Sequence, residues 1–280
     1  MNYIKLVFTI DDDYQEQFIA ELLDLDFYGF EQLPDKLIAY VEKPRYNDTH
    51  RERIEQLVAA FPGGSFSETE EIEEQNWNET WEQSIRPQRI GTFLVKPTWS
   101  DEVPSGEDEI LLEIDPKMAF GTGYHATTRL MLNYMSSLSC HDKTVLDAGT
   151  GTGILAIAAI KLGAKRSVGF DIDPWSEQNA LENKYINKVE NAVDIRRGGI
   201  DVLSADERFD ITLANINRNT IIELLPDLIK YTHPKGDILL SGLLEKDEQI
   251  IREKLSSSPV RIKTMAGEGE WILFHLKKND

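Results

Sequence analysis

The stretch from Thr144 to Asp173, TVLDAGTGTGILAIAAIKLGAKRSVGFDID, constrains the fold more than any other part of the chain. Two short strand-like runs, Thr144–Leu146 and Ser167–Phe170, flank a glycine turn and an apolar helix predicted over Ile154–Leu162. Strand, turn, helix and strand within about thirty residues is the span of one βαβ unit. Gly149, Gly151 and Gly153 let the backbone bend sharply and approach a ligand with no Cβ in the way. The helix that follows begins with unpaired N–H groups aimed into the same space. Asp171 closes the second strand 22 residues after Gly149, where a carboxylate can accept both hydroxyls of a ribose. The stretch predicts a site for an adenosine-containing cofactor, with Gly149, Gly151 and Asp171 lining it.

Two cofactors compete for this turn. Gly151-Thr-Gly153-Ile-Leu-Ala156 satisfies the dinucleotide pattern G-x-G-x-x-A, which would make the chain an NAD-dependent oxidoreductase. The frame that includes Asp147 reads D-x-G-x-G-x-G, similar to the first motif of S-adenosylmethionine (SAM) methyltransferases. SAM has no pyrophosphate and carries a sulfonium and an ammonium, so an acid beside the glycines favours it and repels a phosphate. A non-catalytic binding module on the same fold would be expected to lose Asp171 or Asn215, and both are present.

Composition narrows the partners. With 49 acids against 30 bases the net charge is −19 over 280 residues, a poor match for free nucleic acid and a better one for a basic protein. The single cysteine, Cys140, excludes an internal disulfide and fits a reducing, cytoplasmic setting. The first residues, MNYIKLVFTIDDD, lack the basic-then-apolar layout of a signal peptide, and no apolar run approaches the length of a membrane span. None of the five histidines has metal-site spacing, so no metal is expected.

Upstream, residues 2–10 alternate as a strand, and a helix with Phe18, Ile19, Leu22 and Leu23 on one face follows Asp11–Asp13. Strand-like runs near 27–33 and 36–42, a second helix capped by Asp48 or Thr49, and a strand near 66–72 complete a β-α-β-β-α-β order. That is a ferredoxin-like α+β module, assigned to residues 1–73 and to recognition, because it contains no glycine loop or histidine cluster. Residues 74–100 are read as a linker helix and strand. Seven glutamates between Glu68 and Glu82, with Trp77 and Trp81 four apart, read as a solvated helix face packed through its tryptophans. Arg86–Trp99 and Glu109–Ile114 read as strands.

Residues 101–280 are assigned to a cofactor-binding domain. A loop with Gly121 and Gly123 feeds a helix that starts near His125, Thr127 and Thr128 and can close over a cofactor. Beyond the central unit, a helix is predicted over Pro174–Asn187, a strand near 193–197, and a buried strand over Phe209–Ile216 that carries Asn215 at its end. A helix over 219–231 interrupted at Pro226, a strand over 236–242, a helix over Glu245–Leu255 and a hairpin from Arg261 to Leu276 follow. The fold class is α/β, a doubly wound Rossmann-like sheet with a small N-terminal α+β domain, and ligands of such sheets sit beyond the carboxyl ends of the strands.

Four stretches, DPKMAFGTGYHATT, VLDAGTGTGILAIAA, GFDIDP and LANIN, with LSGLL and the Trp-rich WNETWEQSIRPQRIG beside them, resemble the PrmA family of SAM-dependent methyltransferases that modify ribosomal protein L-eleven. The resemblance extends over most of the chain and implies a Rossmann-like methyltransferase fold. It implies cofactor contacts at Thr128, Gly149, Asp171 and Asn215. It also implies methyl transfer to lysine side chains, and to an α-amine, of a basic ribosomal protein held by the N-terminal domain. Lys117, Ala126, Thr150 and Asn217 depart from the usual Gly, Pro, Cys and apolar residue, and Lys117 and Asn217 bear on substrate preference.

The chemistry so implied is an in-line attack of an amine on the sulfonium methyl, which needs alignment and a neutral amine rather than a metal. A lysine ammonium with a pKa near ~10.4 must lose its proton, and desolvation next to a positive sulfonium assists that. Asn215 is the candidate for orienting the amine or the cofactor. Thr128 is expected to cap its helix or touch the methionine part of SAM, and His125 is the candidate proton acceptor. A monomer is expected.

Overall fold

The structure, a computed structural model, describes residues 3–23, 25–27, 29–72, 85–115, 117 and 119–280. It divides into two compact units, Met1–Trp77 and Asn78–Asp280. Trp77 and Trp81, with most of the expected linker helix, lie outside the described residues. Among the described residues no helix is long and apolar enough to cross a membrane.

The first unit runs β1 (Tyr3–Thr9), α1 (Asp12–Leu23), β2 (Gly29–Leu33), β3 (Lys36–Glu42), α2 (Asp48–Ala59) and β4 (Ser65–Ile72). Its sheet has the order β2-β3-β1-β4 with every pair antiparallel, the ferredoxin-like arrangement. Alternation along β1 turns Ile4, Leu6 and Phe8 onto Phe18 and Leu22 of α1 and Ile54 and Val58 of α2. Phe8 meets Phe18 edge to face at 5.0 Å. Helix α2 is capped by Asn47, one residue before the expected Asp48, its Oδ1 accepting from the His50 N–H at 3.0 Å. Glu68, Glu70 and Glu71 belong to β4 and not to a helix, because pairing with β1 holds them extended.

The second unit opens with a small sheet of β5 (Gln88–Ile90), β6 (Phe93–Lys96) and β7 (Ile110–Glu113). The single strand expected over Arg86–Trp99 is broken at Gly91, whose φ of +58° reverses the chain into an antiparallel β5–β6 pair. After α3 (Ala126–Met135) come β8 (Thr144–Ala148), α4 (Ile154–Lys161), β9 (Arg166–Asp171), α5 (Pro174–Ile186) and β10 (Val193–Arg197). Then follow β11 (Phe209–Asn215), α6 (Arg218–Tyr231), β12 (Thr232–Leu244), α7 (Glu248–Ser256), β13 (Val260–Glu268) and β14 (Trp271–Lys278). The seven strands lie in the order β10-β9-β8-β11-β12-β14-β13, the first five parallel and β14 antiparallel to both its neighbours. Both faces are covered. Val145, Leu213 and Leu239 face one apolar core while Leu146, Ala214 and Leu240 face the other.

Helix α6 continues through Pro226, contrary to the expected interruption. An internal proline costs about 3 kcal/mol, but Ile221, Leu225, Leu228 and Ile229 are all buried on the sheet, each contributing about 1.5–3 kcal/mol, so burial wins. Register then decides where a ligand can sit. Ala148 pairs with Phe170 on one side and with Ala214 on the other, so Gly149, Asp171 and Asn215 all stand one residue further on, at one edge of the sheet. The strand order reverses between β8 and β11, which makes that edge a topological switch point.

Candidate active site

A cavity of about 750 Å³ opens at this edge, lined by Gly149, Gly151, Asp171 and Asn215 among others. The glycine turn at its floor needs residues without a Cβ. Gly149 and Gly151 have φ of +70° and +54°, and a methyl group would strike the Ile216 side chain at the first and the Phe120 carbonyl at the second.

The N–H groups of the turn do not point at a ligand. Gly149 and Thr150 both donate to the Phe170 carbonyl, Thr152 to that of Phe120 and Gly153 to that of Thr150. The Gly151 N–H donates to Asp171 Oδ2 at 3.0 Å, and the Ala156 N–H, in the first turn of α4, donates to Asp147 Oδ2 at 3.2 Å. The N–H groups of Gly149 through Gly153 are thus bonded within the protein, and so is that of Ala156 in the first turn of α4. A turn whose own N–H groups are so occupied favours a cofactor without phosphates over a dinucleotide.

Asp147 does not stand beside the ligand as its position in the sequence suggests. It is fully buried beneath the turn and is not part of the cavity wall. Its Oδ2 also accepts from the Thr150 hydroxyl at 2.7 Å, so the carboxyl braces the turn from below. Loss of solvation pushes its pKa up to about 6, and Oδ1 has no partner among the described residues.

Asp171 faces the cavity, half-buried. Its oxygens each take one backbone N–H, from Gly151 and from Asp173 at 3.0 Å, which fixes the carboxylate while leaving lone pairs for two ribose hydroxyls. Asn215 is 9% exposed; its Nδ2 donates to Thr128 Oγ1 at 3.4 Å. Asn215 Oδ1 is buried with no partner among the described residues, an acceptor suited to an ammonium or amine N–H. Thr128 is itself buried, absent from the cavity wall, and not the helix cap.

The cap of α3 is His125, whose Nδ1 accepts from the Thr127 N–H at 3.3 Å and lies 2.8 Å from the Thr127 hydroxyl. Its ring stands 5.2 Å from Phe120 and 4.7 Å, edge to face, from Trp271. Burial and then the nearby Arg129 guanidinium lower its pKa, so the imidazole is neutral at pH 7, with the proton on Nε2 because Nδ1 accepts. Arg129 is in turn paired with Glu268.

Several contributors are invisible in the sequence reading. Trp271, Ile216, Gly242 and Glu223 line the cavity from distant elements. Asn179, Asn183 and Asn187 form a buried ladder along one face of α5 and just past its end. Asn183 donates to the Thr152 carbonyl at 2.9 Å and accepts from the Asp115 N–H at 3.0 Å, while Asn187 accepts from the Glu113 N–H at 3.1 Å. This ladder ties the glycine turn to the segment that leads into the Gly121–Gly123 loop. Asparagines at i, i+4 and i+8 were the signal that could have revealed it. Of the departures from the family pattern, Asn217 caps α6 through Oδ1 and lines the cavity, Thr150 binds Asp147, and Lys117 pairs with Glu182.

A doubly wound sheet with β14 inserted antiparallel, a glycine turn at its switch point, and Asp171 and Asn215 lining one cavity there mark a SAM-dependent methyltransferase. The model of the ribosomal protein L11 methyltransferase (PrmA) family matches residues 8–279. The chain belongs to that family. It is 37% identical to the ribosomal protein L11 methyltransferase of Chlorobaculum parvum over 282 residues, covering 97% of this chain and 95% of the relative. It is 36% identical to that of Clostridium perfringens over 248 residues, 88% of this chain and 75% of the relative. The crystal structure of a ribosomal protein L11 methylase from Lactobacillus delbrueckii subsp. bulgaricus superposes with a TM-score of 0.65 at 29% identity, over 70% of this chain and all of the other.

Proposed function

We propose that this enzyme transfers methyl groups to amines of ribosomal protein L11, principally lysine side chains and also the N-terminal amine. The observation that carries the site chemistry is the buried, unpartnered Oδ1 of Asn215 at the cavity edge, beside a carboxylate already oriented for ribose. SAM supplies a methyl group activated by its sulfonium. Asp171 holds the ribose hydroxyls, and Gly149 and Gly151 allow close approach of the backbone. Asn215, steadied by the Thr128 hydroxyl, directs its carbonyl oxygen at an N–H of the amine or of the cofactor's ammonium.

His125 contributes as a neutral ring that caps α3 and not as the proton acceptor: its only basic nitrogen is already accepting from Thr127. Proton loss from the lysine ammonium, to solvent water, is assisted where the amine leaves water against the Phe120, Ile216 and Trp271 side chains that line the cavity. The N-terminal unit serves recognition, since every residue lining the cavity belongs to the second unit. The test is incubation of the purified chain with labelled SAM and purified L11, followed by mass spectrometry of the product. Mass gains in methyl steps on lysine peptides are expected; no incorporation would overturn the assignment.

A further inference from the structure

Helix α3 lies along β14 and meets it at both ends. At the cavity end the His125 ring that caps α3 stands 4.7 Å from Trp271. At the far end the Tyr134 hydroxyl lies 2.6 Å from His275 Nδ1, the two rings edge to face at 5.2 Å. From His125 to Tyr134 the helix rises about 13.5 Å, at about 1.5 Å per residue. From Trp271 to His275 the strand advances by about the same length, at about 3.4 Å per residue. The two elements therefore run in the same direction and stay in step over that span.

The far contact is built into the sheet. His275 is 1% exposed, and its Nε2 lies 2.7 Å from Asp237 Oδ1 on β12. Lys277 Nζ donates to Asp237 Oδ2 at 2.8 Å. Burial works against the charge on Asp237, but the bonds from His275 and Lys277 outweigh it and hold the carboxyl below the usual carboxylate range. An ionised Asp237 only accepts, so Nε2 carries the proton and Nδ1 faces the Tyr134 hydroxyl. Such a network is weak evidence for stability, since apolar residues of similar volume can serve as well. Its bonds are directional, so it fixes where Tyr134 sits.

Position matters at the cavity end. Thr128, in the first turn of α3, accepts from Asn215 Nδ2 at 3.4 Å, the one hydrogen bond of that side chain among the described residues. The bond is already long for N–H···O, so a slip of α3 by a fraction of an ångström along its axis breaks it. Leu130, Met131, Leu132 and Met135 bury the helix, but apolar contact has no preferred direction. Arg129 reaches Glu268 through a long, part-exposed side chain, and Ser136 Oγ accepts from the Thr92 N–H beside the smaller sheet. Tyr134–His275 is the tie that ends on a buried residue of the sheet carrying Asn215.

We propose that Tyr134 and His275 are positioning residues for methyl transfer: the bond between them, backed by Asp237, sets where α3 lies along β14 and, through Thr128, which way the Asn215 amide is turned. Neither residue lines the cavity, so neither touches the reacting atoms. The inference rests on the reading of Asn215 as the group that directs its carbonyl oxygen at the amine or the cofactor, and adds what holds it there.

Tyr134→Phe removes one oxygen atom and keeps the ring. In single-turnover methylation of L11 at saturating SAM its rate should fall about three- to tenfold, less than the ~10²-fold of Asn215→Ala, because the amide is loosened rather than lost. Thr212→Val controls for stability: it breaks the buried Thr212–Thr232 hydroxyl pair in the same sheet, and should lower the melting temperature while its rate stays within about twofold of the parent's. Thr128→Val removes the link, so adding Tyr134→Phe to it should change the rate by less than about twofold. If Tyr134→Phe fails to fold, His275→Gln takes its place, keeping a donor for Asp237 and giving up the bond to Tyr134. A folded variant with the parent's rate overturns the proposal. So does a loss of rate that persists in full in the Thr128→Val background, or one that Thr212→Val reproduces. A slow Asn215→Ala chain beside a parent-like Tyr134→Phe chain removes the proposal alone. Asn215→Ala at the parent's rate removes the reading of Asn215 and the proposal with it, as does a parent that transfers no methyl to L11.

Discussion

Replacing Asp171 by alanine separates cofactor binding from folding. In the structure the carboxylate makes two local bonds, to the Gly151 and Asp173 N–H groups, both at 3.0 Å and both at the cavity edge. Water can reach those N–H groups once the side chain is gone, so the fold should lose about 1 kcal/mol or less per bond. What cannot be replaced is the fixed pair of anionic acceptors for the ribose. Charge-assisted hydrogen bonds of this kind contribute about 1.5–3 kcal/mol, which is a loss of roughly 10- to 150-fold in affinity for SAM. Titration calorimetry with SAM, alongside thermal melts of both proteins, measures the two effects separately. A folded Asp171→Ala chain with unchanged affinity would refute the assignment of this carboxylate to the ribose. Unfolding would show instead that the two backbone bonds hold the turn together.

Gly151→Ala should be worse than its size suggests, because the new methyl meets the Phe120 carbonyl at a φ of +54°; a loss of SAM affinity above about tenfold and a lowered melting temperature are expected. Asp147→Asn should remove a loss of stability that the parent suffers between pH 4 and pH 8. The folded-state pKa of Asp147 lies above its unfolded value of 3.8, so its contribution is fully present below pH 3.8 and is lost as pH rises through about 6. That pH-dependent loss is on the order of 3 kcal/mol, set against the cost of burying an amide NH2 where Oδ1 has no partner, so denaturant titrations should show the variant's stability relative to the parent rising from pH 4 to pH 8. In single-turnover methylation at saturating SAM, His125→Asn should slow transfer by about tenfold or less, below the ~10²–10⁴ of a true general base, whereas Asn215→Ala should cost ~10²-fold through misalignment. Loss of all turnover in His125→Asn, together with a vanished titration near neutral pH, would identify the histidine as the base. A chain beginning at Asn78 should keep its SAM affinity and lose methylation of intact L11; equal rates with and without residues 1–77 would remove the recognition role of the first unit.

Much of the site was legible because it is local. Glycines at positive φ, an acid at the end of the next strand and the alternation of strand and helix are demands that neighbouring residues make on one backbone, and periodicity exposes them. Thus Thr144–Asp173 alone revealed the βαβ unit and marked Gly149, Gly151 and Asp171 for the ligand. Asn215, the last residue of an apolar strand, could likewise be placed at the ligand edge once the sheet was known to be parallel.

What only the tertiary structure decided are the contacts between segments far apart in the chain. The register of β8 against β9 and β11 brings Gly149, Asp171 and Asn215 to one edge. It also buries Asp147, which sequence had set beside the ligand. The turn's hydrogen bonds run to Phe120, Phe170 and Asp171, partners that the turn's own residues do not name. Pro226 stays helical because the sheet beneath it outweighs its local cost, and Asn179, Asn183 and Asn187 turn inward because Glu113, Asp115 and Thr152 offer them backbone partners. Local propensity determines elements; which buried polar groups find partners is settled only when the elements meet.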